Sequence, residues 1–145
     1  MRIEERMLTG KFLQELWELN NSCFVEAERP TFGMFEYLAT QGDTFAAYTY
    51  TSQLAGLAIV TEKENAPHLW TLAVKEKFRC DGFGRGLLEE VHEVFPIITL
   101  TTRVDNAHAQ VLYLKSGYRV EKVLRNYYPG GIDGLFMRRK DYGKD

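Results

Sequence analysis

The sequence predicts a mixed α/β fold (α+β in its segregation): a central, mostly antiparallel sheet of about six or seven strands flanked by about four helices. Three observations predict it. Apolar residues recur at helical spacing in separate stretches of the chain. Between the second and third of these lie successive Thr-, Tyr- and Ala-rich runs joined by polar turns, the pattern of consecutive antiparallel strands. Further short β-rich runs follow the later helices, so strands and helices mix without strict alternation.

Residues 2–8 read as a short edge strand. Phe12, Leu13, Leu16 and Trp17 then fall on one helix face, with Thr9 as its N-cap. Pro30 opens a second helix, with Phe32, Phe35 and Leu38 as its apolar side and Gly42-Asp43 as its end. Residues 45–50 and 54–61 flank Thr51-Ser52-Gln53 as a hairpin, and a charged turn over 62–67 leads into a strand over 68–74. Leu87, Leu88, Val91, Val94 and Phe95 make the clearest helix, which Pro96 stops. A β-rich run at 97–104, a helix at 106–116 closed by Gly117, and strands at 118–124 and 135–138 complete the order. No repeat, low-complexity tract or linker interrupts the chain, so residues 1–145 read as one domain.

Composition narrows the function. A net charge of −2 lacks the basic excess of a nucleic-acid binder. Aromatic and branched residues run throughout, which excludes intrinsic disorder. No run of about eighteen apolar residues exists to span a membrane, and residues 1–10 carry glutamates where a signal peptide would be apolar. Cys23 and Cys80 cannot build a disulfide framework and fit a reducing compartment. A cytoplasmic protein with neither membrane nor nucleic-acid partner, and no metal site, is expected.

The most informative stretch is 74–88. A strand leads into a basic loop, Lys75-Glu76-Lys77-Phe78-Arg79-Cys80-Asp81-Gly82-Phe83-Gly84-Arg85, and then into the strong helix. Glycines let the backbone approach a ligand, and a helix N-terminus offers unpaired N–H groups and partial positive charge. Together they suit a phosphate. The loop is not a P-loop, which needs Gly-Lys-Ser/Thr, and it follows an antiparallel run where a dinucleotide fingerprint would follow the first strand of a parallel unit.

Arg79-x-x-Gly82-x-Gly84, with Leu72-Ala73-Val74 before it and Leu87-Leu88 after it, resembles the acyl-coenzyme A loop of the GCN5-related N-acetyltransferase (GNAT) family. Asn106-Ala107-His108-Ala109-Gln110-Val111-Leu112-Tyr113 through Gly117-Tyr118 resembles the family's later signature. Within the family, Arg103-x-x-Asn106, Arg125-Asn126-Tyr127-Tyr128-Pro129 and Asp133-Gly134 are similar to the RimI-like protein N-terminal acetyltransferases. Thr101 stands where that subgroup usually carries a glutamate base.

The resemblance implies a GNAT fold and transfer of acetyl from acetyl-CoA (coenzyme A) to a primary amine, on a protein N-terminus or a small molecule. It implies that Arg79, Cys80, Asp81, Gly82, Phe83, Gly84 and Arg85 hold the pyrophosphate. It implies that backbone groups of Leu72, Ala73 and Val74 meet the pantetheine and the thioester carbonyl. Asn106 caps its helix, touches pantetheine, or does both. Tyr113 becomes the acid for the leaving thiolate, since its ordinary pKa near 10 keeps it protonated at neutral pH. His68 becomes a candidate base, with a strand-end histidine of no catalytic role as the alternative. Phe32 with the loop at 26–32, and Tyr127 with Tyr128, become the acceptor's walls, or else aromatics covering the core. Pairing through sheet edges, common in the family, would give a homodimer. A non-catalytic acyl-CoA-binding sensor is the alternative from another class.

Arithmetic limits the base that is needed. An α-amine of pKa about 8 is about one-tenth neutral at pH 7, a cost of about 1.2 kcal/mol, whereas lysine costs about 4.6 kcal/mol. An enzyme without a carboxylate base therefore suits an α-amine.

Overall fold

Residues 54–60 are buried without interruption, so this segment has no solvent face. A strand with two apolar faces needs cover on both sides. In the computed structural model, which describes residues 1–140, that strand lies inside a seven-stranded sheet covered by two helices on each face. The last five residues of the expected 1–145 span lie outside the described residues.

The elements follow the expected order: β1 (Arg2–Ile3), α1 (Gly10–Ser22), α2 (Phe32–Gln41), β2 (Asp43–Tyr48), β3 (Leu54–Lys63), β4 (Ala66–Val74), α3 (Phe83–Val94), β5 (Ile98–Arg103), α4 (Ala107–Lys115), β6 (Tyr118–Tyr128) and β7 (Ile132–Arg139). The sheet order is β1-β2-β3-β4-β5-β7-β6. Among the described residues, only β4 and β5 pair in parallel. No helix among the described residues is long and apolar enough to cross a membrane.

Some boundaries differ from expectation. The first strand is two residues long, and a 3₁₀ turn at Glu5–Met7 replaces the rest. The turn after β3 shrinks to Glu64 and Asn65, whose φ angles of 53° and 62° are what a two-residue hairpin between twisted strands requires. β6 runs on to Tyr128, so Tyr127 and Tyr128 lie within the strand and not beyond it. On α1 the buried face is Leu13, Leu16, Leu19 and Asn20, with Phe12 and Trp17 at its margins.

Alternation along β2 and β3 divides the core into two layers. Ala46, Leu57 and Ile59 face α1 and α2, where Leu13, Leu16, Phe35 and Ala39 meet them. Phe45, Ala58 and Val60 face Leu87, Leu88 and Val91 of α3. The second layer continues across Leu69, Ile98, Leu100, Leu135 and Met137 to Tyr113 of α4.

One irregularity positions everything that follows. Ile59 pairs with Thr71, but Val60 pairs with Leu69, so Trp70 is an extra residue, a bulge in β4. On its other side β4 pairs with β5 at only two places, His68 with Thr99 and Leu69 with Leu100. Beyond Leu69 the two strands separate into a V. Across the V's start, the Thr71 hydroxyl donates to Asn20 Oδ1 at 2.6 Å, which ties α1 to the bulge.

Two histidines are built into this core. His68 is 8% exposed, its Nδ1 2.7 Å from Thr99 Oγ1 and its ring stacked on Phe136. His92 Nε2 lies 2.8 Å from the hydroxyl of buried Tyr118. Burial pushes both down to about 4, and Lys63 adds to the effect at His68, Arg139 at His92.

Both folded pKa values lie below the unfolded value of 6.5, so the unfolded chain takes up protons first as pH falls. The stability they contribute is full above about pH 6.5 and is lost as pH falls toward 4. The expected loss is of order 3 kcal/mol for the pair, after allowance for solvent screening at half-buried His92. Denaturant titrations from pH 7.5 to 4 should show it, and His92→Phe should flatten part of the slope. Asn20→Ala should cost about 1–3 kcal/mol by leaving the buried Thr71 hydroxyl unpartnered, read as a lower urea midpoint at unchanged m.

Candidate active site

The V between β4 and β5 is where backbone polar groups have no strand to pair with. Lys75 N–H donates to Ala55 O at 2.8 Å on the β3 side. In an antiparallel ladder such bonded pairs alternate with pairs whose groups point outward. Ala73 therefore turns its N–H and C=O toward β3, while Leu72 and Val74 turn theirs toward the gap. The Val74 carbonyl is taken up by two side chains: Arg79 Nε donates at 3.2 Å and the Cys23 thiol at 3.4 Å. Arg79 also reaches Cys23 Sγ at 3.5 Å. The Leu72 and Val74 N–H groups remain aimed into the V.

Below the V the chain makes a 3₁₀ turn at Glu76–Phe78 and enters α3 through left-handed backbone at Cys80 and Gly82. Gly82 is the N-cap, at φ 90°, where a side chain would be strained and where no side chain caps the helix. The first helical bond is from Gly86 N–H to Gly82 O, so the N–H groups of Gly82, Phe83, Gly84 and Arg85 are left free of helical partners. Gly84 faces Val74 and Leu112, which brings this helix end against the end of β4. Phe83 packs edge-on against Phe78, Cys80 and Asp81 are exposed, and Arg85 pairs with Glu89 on the surface. The surroundings fit a phosphorylated cofactor: free N–H groups at a helix N-terminus below, and two more along an unpaired strand above.

Tyr113 lies in the α3/α4 layer, 9% exposed, with its ring edge-on to Tyr118. Burial raises its pKa to about 12, so it carries its proton at any physiological pH. Asn106 caps α4, accepting from Ala109 N–H at 3.1 Å, which establishes the capping half of its expected role.

On the opposite face of the sheet, three elements converge on Arg103. Its Nη1 lies 2.5 Å from Glu28 in the α1–α2 loop, its Nε and Nη2 each lie 2.9 Å from Asp105, and its guanidinium sits over the Tyr128 ring. The carboxylates hold Arg103 above the ordinary arginine pKa, and Arg103 holds Asp105 below the ordinary aspartate value. One cation against two carboxylates leaves this corner with a net negative charge. Tyr128 is raised well above the ordinary phenol, first by burial, then by Tyr127, Glu28 and Tyr113.

β6 delivers its tyrosines by a break in register between Leu124 and Tyr128, with Asn126 at φ 50° and its N–H bonded to Asp133. Tyr127 thereby crosses Gly134, where an added Cβ would stand 3.3 Å from the tyrosine and 3.2 Å from Thr101 Cγ2.

Two candidate residues have partners that their spacing did not indicate. His68 is not placed as a base. It sits at the closed end of the V in a buried hydrogen bond with Thr99, and its low pKa leaves it a weak proton acceptor at pH 7. Phe32 packs edge-on against Trp17, and Glu28 is the residue of that loop that crosses to the sheet. The Glu28–Arg103 pair, the Trp70 bulge and the Cys23–Arg79–Val74 cluster were not foreseen. Each joins residues far apart in the chain, and none has a local pattern.

Residues 13–118 match the Acetyltransferase (GNAT) family. An uncharacterized N-acetyltransferase of Methanocaldococcus jannaschii is 26% identical over 141 residues, spanning 93% of this chain and 90% of that protein. The ribosomal protein bS18-alanine N-acetyltransferase of Escherichia coli is 28% identical over 111 residues, 70% of this chain and 75% of that one. The crystal structure of the E. coli ribosomal-protein-S18-alanine N-acetyltransferase superposes with a TM-score of 0.81 at 22% identity, covering 100% of this chain and 97% of that one, which shows the common fold. A NatC complex structure, bound to Gag peptide and CoA, superposes with a TM-score of 0.78 at 18% identity over 97% of this chain and 96% of that one. The β4–β5 gap, the uncapped glycine entry into α3 and the match over residues 13–118 agree, and the chain belongs to the GNAT acetyltransferase family.

Proposed function

We propose that this protein is an acetyl-CoA-dependent N-acetyltransferase, one domain over residues 1–145, whose acceptor is the α-amine of a protein N-terminus. The observation that carries the reading is the V itself. Its β4 side offers backbone N–H groups to a ligand, with a helix N-terminus at one end and a negatively charged, tyrosine-walled corner at the other. The bS18-alanine acetyltransferase of E. coli, similar along most of the chain, supports a peptide acceptor. Two cysteines without a disulfide suit the cytoplasm, where acetyl-CoA is made and used.

In this reading the free N–H groups from Gly82 to Arg85 hold the pyrophosphate, aided by the positive end of the α3 dipole. Arg79 keeps the mouth of the loop in place through its bond to the Val74 carbonyl. When bound, acetyl-CoA supplies an acetyl thioester and departs as coenzyme A. The Leu72 and Val74 N–H groups polarise the carbonyl, as preorganised donors in a water-poor cleft do. Tyr113 delivers its hydroxyl proton to the departing sulfur. Its raised pKa keeps that proton in place at physiological pH until the C–S bond breaks, and the same burial disfavours a bare thiolate beside it. Glu28 and Asp105, in excess over Arg103, draw a cationic N-terminus toward the gap. Tyr127 and Tyr128 wall the approach.

Calorimetric titration with acetyl-CoA, followed by free-thiol release on addition of N-terminal peptides and small amines, tests the proposal. Binding with release on peptides is the expected result. Binding without release from any amine would leave a sensor domain. Tyr113→Phe should lower kcat by about 10²–10⁴-fold, the usual contribution of a general acid, with coenzyme A affinity unchanged. An equal loss of affinity would make Tyr113 a packing residue.

A further inference from the structure

Thr101 carries a hydroxyl that the fold leaves unused. Its Oγ1 is buried and has no hydrogen-bond partner. A buried hydroxyl without a partner costs about 1–3 kcal/mol, so native chains seldom keep one where nothing will meet it. Valine has the same shape and would carry no such cost.

The surroundings hold this hydroxyl in one place. Thr101 pairs with Phe136 on β7, and its methyl group sits beneath Gly134, where an added Cβ would approach to 3.2 Å. Tyr127 lies across the same glycine. The parallel pairing of His68 with Thr99 and Leu69 with Leu100 would, if continued, set Thr101 opposite Trp70. Trp70 is the bulged residue at which β4 leaves β5. Thr101 is thus at the apex of the V, two residues from Arg103, with side chains alternating so that both face the α1–α2 loop. The neighbouring hydroxyls have partners: Thr99 bonds His68, and Thr71 bonds Asn20.

We propose that Thr101 Oγ1 is the docking point of the acceptor nitrogen and accepts one of its N–H bonds, and that it selects amines with an appreciable neutral fraction near pH 7. The inference rests on the N-acetyltransferase reading. A hydroxyl orients a nitrogen but neither balances an ammonium charge nor takes up its proton. The proton leaves before the amine settles on Thr101, carried by water past the carboxylates at Arg103. The amine's own pKa therefore decides how much acceptor is competent, which favours an α-amine over a lysine side chain by a factor of several hundred at pH 7. Charge steering at the rim and a neutral floor at the apex divide the task between attraction and chemistry.

Thr101→Val and Thr101→Ser test this. With a peptide α-amine, Thr101→Val should lower kcat/KM by about ten- to a hundredfold and Thr101→Ser should restore most of it. Peptide affinity measured with coenzyme A in place of acetyl-CoA should weaken in Thr101→Val, while coenzyme A affinity stays unchanged. The thermal midpoint of Thr101→Val should equal or exceed that of the native chain, since the replacement removes an unpartnered polar atom. Thr101→Glu should narrow the preference for α-amine over lysine. Native kcat/KM and native peptide affinity in Thr101→Val would overturn the inference while leaving the acetyltransferase reading intact. An inert native protein that binds acetyl-CoA would overturn both.

Discussion

The parallel ladder between β4 and β5 ends after two residue pairs, and the rest of the molecule depends on that early ending. A sheet interior is normally satisfied strand against strand, and a gap in it exposes N–H and C=O groups that cost free energy unless something meets them. Here the Trp70 bulge turns β4 away, α1 is fastened to the turned segment by Asn20 and Thr71, and the Val74 carbonyl is met by Arg79 and Cys23. What remains facing the gap is the pair of N–H donors of Leu72 and Val74, with the Leu72 carbonyl beside them. Donors without acceptors, beside a helix end with the same deficit, form a cleft that is complete only with an electron-rich ligand.

The two faces of the sheet contribute different chemistry to the cleft. The α3/α4 layer is dense and apolar, and it holds Tyr113 in its protonated form by burial alone. The other face is open beyond α1 and α2, and what crosses it is electrostatic: Glu28 from the α1–α2 loop, Arg103 and Asp105 from the end of β5, and the ring of Tyr128 from β6. Arg103 is the hinge of this arrangement. It draws Glu28 inward and adds a second anchor of the α1–α2 loop on the sheet, beside the Cys23 bond to the Val74 carbonyl. In the proposed reading, Tyr113 as a rigid proton donor on one face and a loop-built acceptor corner on the other match the needs of a transfer reaction. The donor's chemistry is constant, and the acceptor must be chosen.

Legibility differed between the two faces for the same reason. The order of elements and the glycine-rich loop were readable because helix periodicity, the Gly82–Gly86 spacing and the Asn106 cap act within a few residues. Strand ends were less so. β6 was expected to stop at Leu124 and instead carries Tyr127 and Tyr128 inside the sheet, because Asp133 on β7 holds the Asn126 kink that keeps the strand paired. His68 illustrates the limit for single residues. Its ordinary pKa suits a base, but that value depends on water, and Thr99 and Phe136, some thirty and seventy residues away, exclude water from it. Phe32 was placed correctly on its helix, and its edge-on contact with Trp17 was not foreseen.

By itself, then, the amino-acid sequence determined the succession of strands and helices, the alternation that sorts β2 and β3 into two layers, the glycine entry into α3 and the tyrosine on α4. All of these follow from local backbone preference and from the spacing of apolar side chains. Only the tertiary structure decided where β4 and β5 part, which carbonyls are claimed by side chains, how Glu28 and Arg103 meet across 75 positions, and that the Thr101 hydroxyl is left without a partner. Those features are outcomes of competition among groups distant in the chain. Hydrogen-bond satisfaction and burial are properties of the assembled neighbourhood, and no window of sequence contains it.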